Sequence, residues 1–131
     1  MKYLLLIYSN PTTWGHPIYA RRPEFQQLPE REQQELTAQV EAMFEDIRAS
    51  GELVGGAALA DPEQTRTAQV RNGAPVITDG PFLEAKEQLA GYFVVDCDTP
   101  ERAAEIAACF PDARFGGVEV RPIMDYAGQE M

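Results

Sequence analysis

The sequence is poor in the residues that form metal and redox sites. It has a single histidine, His16, and two cysteines, Cys97 and Cys109, which have neither metal-ligand spacing nor an evident disulfide framework. Its glycines form no phosphate-binding fingerprint. We therefore expect no bound metal and no cofactor, and we expect both thiols to be small apolar side chains in a reducing cytoplasm.

Positive charge and long apolar runs are also scarce. The chain has 11 Lys and Arg against 21 Asp and Glu, and its formal net charge is −10. Affinity for nucleic acids comes largely from Lys and Arg that neutralise phosphates, and Arg21-Arg22 is the densest basic stretch here. No run approaches the ~20 apolar residues that cross a bilayer, and the run at 3–8 is too short for a secretory signal. Neither a nucleic acid nor a membrane is an expected partner.

The composition of the chain is that of one globular domain, which spans residues 1–131. Hydrophobic residues make up 44% of the chain and charged residues 24%, which suits a folded protein with its own core. Apolar periodicity, turn residues and helix-capping residues predict the elements in order. They are a strand at 2–8, a long loop at 9–28, a helix at 30–50, a strand at 52–59, a hairpin with strands at 68–71 and 75–78, a strand at 90–97, a helix from 100 that ends at Pro111, and a strand at 118–124.

This order predicts an α+β fold of the ferredoxin-like type, which is a split βαβ sheet with an inserted hairpin and both helices on one face. The strands at 2–8 and 90–97 are apolar at odd and even positions alike, so both of their faces require burial. Since two helices cover one side only, we expect sheet-on-sheet packing with a second copy of the chain, and hence a homodimer. Gly55-Gly56 predicts a bulge or a close backbone approach in the second strand.

A ten-residue block connects the predicted hairpin to the strand that follows it. Residues 78–87 (Thr-Asp-Gly-Pro-Phe-Leu-Glu-Ala-Lys-Glu), followed by Gly91-Tyr92, resemble the signature of the DGPF subgroup of YCII-related proteins. The opening strand and the stretch at 118–123 are similar to the first and last strands of that family.

The resemblance implies a dimeric α/β-barrel-like assembly of ferredoxin-like subunits, without an established reaction. Some members of the family are encoded near, or fused to, extracytoplasmic-function sigma factors. Other members are suspected of using a His–Asp pair, but the long helix of this chain contains no histidine.

Charged residues around the block form the candidate site. Asp79, Lys86 and His16 are the predicted catalytic residues, because such groups in a partly enclosed cleft can act as an acid–base pair. Histidine is included because its imidazole titrates near neutral pH. Each residue also has a structural interpretation, in which Asp79 caps a turn, Lys86 lies on a solvated loop and His16 is an exposed loop residue.

Glu84, Glu87 and Arg121 are the predicted ligand-binding residues. The two glutamates flank Lys86 in the short connection to the next strand, although a solvated surface turn also explains them. Arg121 alternates to the face of the last strand opposite its valines. There it can reach a ligand or pair with an acid of a partner subunit.

Two functions fit these features. A homodimer that binds a small polar or carbonyl-containing metabolite near Asp79, Lys86 and His16 can carry out cofactor-free proton transfer, such as isomerisation or lyase-type chemistry. Alternatively, the chain is a non-enzymatic sensor or regulatory partner, linked to transcription through another protein that binds its acidic surface. A deep pocket with two titratable groups favours the first function, and an exposed apolar patch outside the dimer contact favours the second.

Overall fold

The computed structural model describes residues 1–131 and contains six strands and five α-helices. In chain order they are β1 (Lys2–Ser9), α1 (Ile18–Arg21), α2 (Pro23–Gln26), α3 (Glu30–Ser50), β2 (Leu53–Ala58), β3 (Arg66–Arg71), β4 (Ala74–Asp79), β5 (Gln88–Asp96), α4 (Pro100–Ala108), α5 (Pro111–Phe115) and β6 (Val118–Pro122). None of the helices has the length and apolar composition needed to cross a membrane.

The central sheet contains four strands in the order β2-β5-β1-β6, and every neighbouring pair is antiparallel. Helix α3 connects β1 to β2, which are separated by β5, and the segment with α4 and α5 connects β5 to β6, which are separated by β1. Two interleaved split βαβ units of this kind are consistent with the ferredoxin-like arrangement. The predicted α+β class with an antiparallel sheet is confirmed.

One face of the sheet carries the hydrophobic core. Tyr3 of β1 and Val95 of β5 are at most 1% exposed and belong to a cluster that includes buried residues of α3 and α4. In α3 the buried residues Val40, Met43 and Ile47 follow the helical period, as predicted. The core therefore lies between the sheet and these two helices.

The helix boundaries follow local signals. Helix α3 ends before Gly51, whose φ of 82° is a left-handed conformation that glycine adopts at little steric cost. Helix α4 begins after Thr99, whose hydroxyl oxygen accepts the backbone N–H of Arg102 at 3.1 Å. Helix α4 ends at Ala108, before the predicted boundary, and Pro111 begins α5 because proline is favoured in the first turn of a helix.

The segment between β1 and α3, predicted to be a long loop, contains the short helices α1 and α2. Each spans only four residues, which is too short for a hydrophobic period to be visible in the sequence. Ile18, Tyr19 and Phe25 from these helices are buried and join the core. The segment therefore packs on the helix side of the sheet and does not cover the opposite face.

The face of the sheet opposite the helices is apolar, and we call it the open sheet face. Side chains alternate along β1 and β5, so this face carries Leu4, Leu6 and Tyr8 beside Tyr92 and Val94. None of these residues belongs to the core cluster, and all except Leu6 keep part of their surface exposed. The prediction that both faces of the central strands are apolar is confirmed.

Strands β3 and β4 form the predicted hairpin, which extends further at both ends than the sequence indicates. Asn72 and Gly73 between them have φ values of 51° and 77°, and a type I′ turn requires two such left-handed residues. The pair forms a sheet of its own, separate from the central sheet. We call this element the β3–β4 ribbon.

An ion pair joins α4 to the start of β2. Arg102 donates from Nε to Oε2 of Glu52 at 2.8 Å and from Nη2 to Oε1 at 2.9 Å. The Ser50 hydroxyl donates to the same Oε1 at 2.8 Å. These donors, Arg102 above all, lower the pKa of Glu52 from its ordinary 4.5 to about 2.

Replacing Glu52 by Gln should lower the free energy of unfolding at neutral pH by about 1–2 kcal/mol, because charge-assisted hydrogen bonds are lost. Since the pKa of Glu52 is lowered in the folded protein, this stabilisation is complete above about pH 4.5 and disappears as the pH falls toward 2. Urea unfolding of both proteins across this range measures the effect.

The matched control is Glu105→Gln, which removes a more exposed partner of the same arginine and should cost less than ~0.5 kcal/mol. Equal unfolding free energies for wild type and Glu52→Gln at neutral pH would contradict the expected contribution of the ion pair.

Candidate functional site

An apolar cavity of about 480 Å³ lies on the helix side of the sheet, between α3, β2 and β5. Its volume is within the range of small-molecule sites, roughly 300–1,000 Å³. Val40 and Phe44 of α3 form one wall, and Ile7 and Phe110 contribute from β1 and from the turn after α4. Of the 17 lining residues 11 are hydrophobic, so the space suits a ligand with an apolar body.

Small residues along β2 and β5 leave this space open. Gly56, Ala57 and Ala58 of β2 lie beside Ala90 and Gly91 of β5 in the cavity wall. A Cβ atom on Gly91 would lie 2.8 Å from the carbonyl oxygen of Ala57, and one on Gly56 would lie 2.6 Å from a carbonyl oxygen of β5. The close backbone approach predicted for the glycine pair of β2 is confirmed for Gly56, whereas a Cβ atom on Gly55 would meet nothing within 4 Å. Because neither Gly56 nor Gly91 accepts a larger side chain, the gap beside α3 stays unfilled.

A buried carboxyl group lies in the wall of the cavity. Asp112, in the first turn of α5, is 3% exposed, and its Oδ1 has no hydrogen-bond partner. Burial raises the pKa of Asp112, while its own backbone and the positive charge of Arg22 oppose that rise. The Nε of Arg22 is likewise buried without a partner. Unpaired buried polar atoms are uncommon in native proteins, and carboxyl groups with a raised pKa are typical of functional sites.

His16 lines the same cavity from the segment between β1 and α1. Its Nε2 lies 2.7 Å from the carbonyl oxygen of Leu59. Because a carbonyl oxygen only accepts, Nε2 carries the hydrogen, which leaves Nδ1 of the neutral imidazole as an acceptor. Trp14 Nε1 donates to the same oxygen at 3.3 Å, and the two rings meet edge to face with centroids 6.2 Å apart. These contacts hold the imidazole beside the end of β2.

The predicted catalytic Asp79 lies at the end of β4 and does not line this cavity. Its side chain is 95% exposed, and its Oδ1 is 3.9 Å from Nε of Arg66. The next residue, Gly80, has φ of 95°, donates its N–H to the Thr65 carbonyl at 2.7 Å and accepts the Thr67 hydroxyl at 2.7 Å. Asp79 and Gly80 therefore form a turn that closes the base of the β3–β4 ribbon.

Lys86, Glu84 and Glu87 lie on the exposed connection between β4 and β5. None of the three forms an ion pair. Glu84 lines a more open depression of about 400 Å³, which does not contain His16. The structure therefore does not bring Lys86 into one cavity with His16, and the cationic neighbour of Asp79 is Arg66 rather than Lys86.

Arg121 lies on the other side of the sheet from the cavity. It is opposite Leu4 in the pairing of β6 with β1, which places it at the border of the open sheet face. The predicted alternation of Arg121 away from the valines of β6 is confirmed. In a single chain it is therefore separated from both His16 and Asp112.

Asp112 is the site residue that sequence reasoning missed. It follows Pro111, and an acid in the first turn of a helix usually has only a local stabilising role. Its burial depends on the packing of α5 against α1, which lies far away along the chain. No local signal marks it as buried.

The arrangement can support hydrogen bonding and proton transfer. A carboxyl group with a raised pKa donates a hydrogen bond while protonated and accepts one after ionisation. The exposed His16 adds an acceptor at Nδ1 on the same cavity. No group of three or more His, Cys, Asp and Glu side chains is arranged to hold a metal ion.

Replacing Asp112 by Asn tests the burial of this carboxyl group. Since the pKa of Asp112 is raised in the folded protein, wild-type stability should fall as the pH rises from the unfolded-state pKa through the folded-state pKa. Asn has a similar shape and cannot ionise. Relative to wild type, the free energy of unfolding of the variant should therefore rise by on the order of 1 kcal/mol between acidic and neutral pH.

Urea unfolding at a series of pH values measures this difference. The exposed Asp98→Asn is the matched control and should show no such gain. A stability difference between wild type and Asp112→Asn that stays constant across the range would show that the carboxyl group is not held in an unfavourable environment.

Comparison with known proteins places this chain in a family. The YCII-related domain matches residues 1–127, which is nearly the whole chain. An uncharacterized protein of Rhizobium meliloti (strain 1021) is 33% identical over 84 residues, which cover 63% of this chain and 68% of that protein. The cavity, His16 and Asp112 all lie within the matched range. The chain belongs to the family of proteins with a YCII-related domain.

Proposed function

We propose that this protein binds a small neutral molecule with an apolar body and a carbonyl or hydroxyl group in the cavity of about 480 Å³. The observation that carries this proposal is the buried carboxyl group of Asp112, with an unpaired Oδ1, in a mainly apolar wall. Burial of a polar group without a partner costs free energy. A ligand that satisfies the carboxyl group recovers part of that cost on binding. Because Oδ1 itself is shielded from solvent, this contact requires the Asp112 side chain to rotate toward the cavity.

The chemistry of this site is cofactor-free acid–base catalysis of the isomerisation or lyase type. When its carboxyl group is protonated, Asp112 donates to a ligand carbonyl oxygen, which polarises the carbonyl group and makes the neighbouring carbon more acidic. Nδ1 of His16 is the second proton-transfer group. The apolar wall around the buried Asp112 strengthens the hydrogen bond that its carboxyl group donates, because little water competes for it.

The charges around the cavity favour a neutral ligand. Glu41 also lines the cavity, and the whole chain has a formal net charge of −10. An anionic ligand is repelled by this field and loses its hydration in a mainly apolar space. A carboxylate metabolite is therefore a poorer fit than a ketone, an aldehyde or an alcohol.

We also propose that two copies associate through the open sheet face into the dimeric barrel-like assembly that the family resemblance implies. Two central strands present apolar side chains there without a covering layer. Glu119 and Arg121 of β6 border this face, opposite Leu6 and Leu4 of β1. They are placed to pair with charged groups of the second copy.

The remaining sequence predictions stay proposals. One is membership of the DGPF subgroup, which is supported by the resemblance of residues 78–87. Another is a second polar surface at the base of the β3–β4 ribbon, formed by Asp79, Glu84, Lys86 and Glu87. The cytoplasmic location also stays a proposal. Both cysteines are free thiols; Cys97 is buried as an apolar side chain, as predicted, but Cys109 is exposed, so that prediction is wrong for Cys109.

One observation favours the second candidate function, a non-enzymatic regulatory partner. Phe82 and Leu83 of the same block are 70% and 69% exposed. These two adjacent side chains form a small exposed apolar surface that a partner protein can cover. If this second function is correct, a partner protein binds residues 78–87 and ligand binding in the cavity stays unchanged.

Fluoroacetophenone combines an apolar ring with a carbonyl group and should bind in the cavity. Binding should broaden the fluorine NMR signal of this ligand. Fluorobenzoate has a similar size and a negative charge, so at neutral pH it should bind at least about tenfold more weakly. Ala58→Leu should abolish binding, because Ala58 lies beside Gly91 in the cavity wall and a larger side chain there fills the space.

The matched control is Ala42→Leu on the exposed surface of α3, which should bind like wild type. Equal affinity of Ala58→Leu and wild type for fluoroacetophenone would place the ligand elsewhere and contradict the proposed site.

A further inference from the structure

Arg22 lies between the short helices α1 and α2, and two backbone carbonyl groups hold its guanidinium. Its Nη2 donates to the Tyr8 carbonyl at 3.1 Å, and its Nη1 donates to the Phe115 carbonyl at 3.5 Å. Tyr8 follows Ile7, which is the last residue of β1 that pairs with β6. Phe115 is the last residue of α5. Arg22 therefore connects the end of β1 to the end of α5.

The positive charge of Arg22 has no counter-ion. No carboxylate forms an ion pair with its guanidinium, and its Nε is buried without a hydrogen-bond partner. The chain after α5 lies close to it, since a Cβ atom on Gly116 would be 3.1 Å from Nη2. A cation that is shielded from water and unpaired is unfavourable. A carboxylate that reaches this guanidinium gains a charge-assisted hydrogen bond.

The carboxyl group of Asp112 is the acid that Arg22 can reach. Asp112 belongs to α5, whose last carbonyl Arg22 binds, and Arg22 is the charged residue that acts on the pKa of Asp112. The Oδ1 of Asp112 and the Nε of Arg22 are both buried without partners, so a neighbouring acceptor and donor are unused. Asp112 lines the cavity and Arg22 does not. The carboxyl group therefore has two available partners, the guanidinium within the protein and a ligand in the cavity.

Other charged groups around Asp112 are weaker partners. Helix α5 packs against α1 and α4, and the buried residues of α4 do not titrate. The titratable or charged side chains on the neighbouring elements and on α5 itself are those of His16, Tyr19, Glu41 and Arg114. All except the buried Tyr19 are exposed, so water and salt screen their charges. Arg22 is thus the cation that a buried carboxylate at this position meets.

We infer that Arg22 is a positioning residue of the proposed site, which binds the carboxylate of Asp112 inside the protein and leaves only the protonated carboxyl group free to turn toward the cavity. This role rests on the function proposed above for Asp112. The ionised group gains a charge-assisted hydrogen bond from the buried Nε, and the protonated group does not. Loss of the proton from Asp112 therefore closes the site to the ligand.

Arg22→Gln removes the positive charge and keeps a side-chain donor for the backbone carbonyl groups. In carbon NMR, the titration midpoint of the Asp112 carboxyl group should rise, because the carboxylate loses its cation. Fluoroacetophenone should bind this variant at least about threefold more tightly than wild type at neutral pH, since a larger fraction of Asp112 is protonated. Arg22→Lys keeps the charge and should return both values toward those of wild type.

Arg21→Gln removes the same charge from the preceding residue, which is exposed and forms no ion pair. This variant should have the Asp112 midpoint and the ligand affinity of wild type. Circular dichroism checks that all three variants fold.

The wild type provides a readout that does not depend on the folding of an Arg22 variant. The NMR signal of the Arg22 Nε–H should shift with the same midpoint as the Asp112 carboxyl group, because the carboxylate accepts from this donor. In Asp112→Asn this shift should be absent.

The outcomes separate the role of Arg22 from the function of the cavity. An Asp112 midpoint that is equal in wild type and Arg22→Gln, or an Arg22 Nε–H signal that does not follow Asp112, overturns the positioning role and leaves ligand binding in place. A midpoint that rises in Arg22→Gln without any change in ligand affinity supports the contact between Arg22 and the carboxylate and overturns the binding of the ligand by Asp112.

Discussion

The two central strands, β1 and β5, carry apolar side chains on both of their faces, and the rest of the structure depends on this constraint. Helices α3 and α4 bury one face, where Tyr3 and Val95 are almost completely shielded from water. The short helices α1 and α2 also pack on that side. The chain has no further layer for the other face, so burial there requires another molecule.

The same layer of helices contains the proposed site, because the strands beneath it are made of small residues. Gly56 and Gly91 allow β2 and β5 to approach so closely that no larger side chain fits at either position. The space between these strands and α3 is therefore a cavity rather than packed core. Helix α5 then brings Asp112 into the cavity wall, where its carboxyl group lacks a partner.

Elements with a local signal were predictable from the sequence. The strands, the apolar stripe of α3 and the Asn72-Gly73 hairpin follow from periodicity and turn chemistry. The cavity and the burial of Asp112 were not predictable, because they depend on packing between segments far apart in the chain. His16 is a candidate from the sequence because it is the only histidine, and the sequence groups it with Asp79 and Lys86. In the structure it lines one cavity with Asp112 of α5 instead.

The most direct test of the proposed site is a carbon NMR titration of the Asp112 carboxyl group, with and without fluoroacetophenone. We predict a midpoint above the ordinary aspartate value of 3.8, because burial raises the pKa of Asp112. The ligand should move the midpoint higher, since its carbonyl oxygen binds the protonated form. A midpoint at the ordinary value that does not respond to the ligand would contradict the proposal that this carboxyl group binds the ligand.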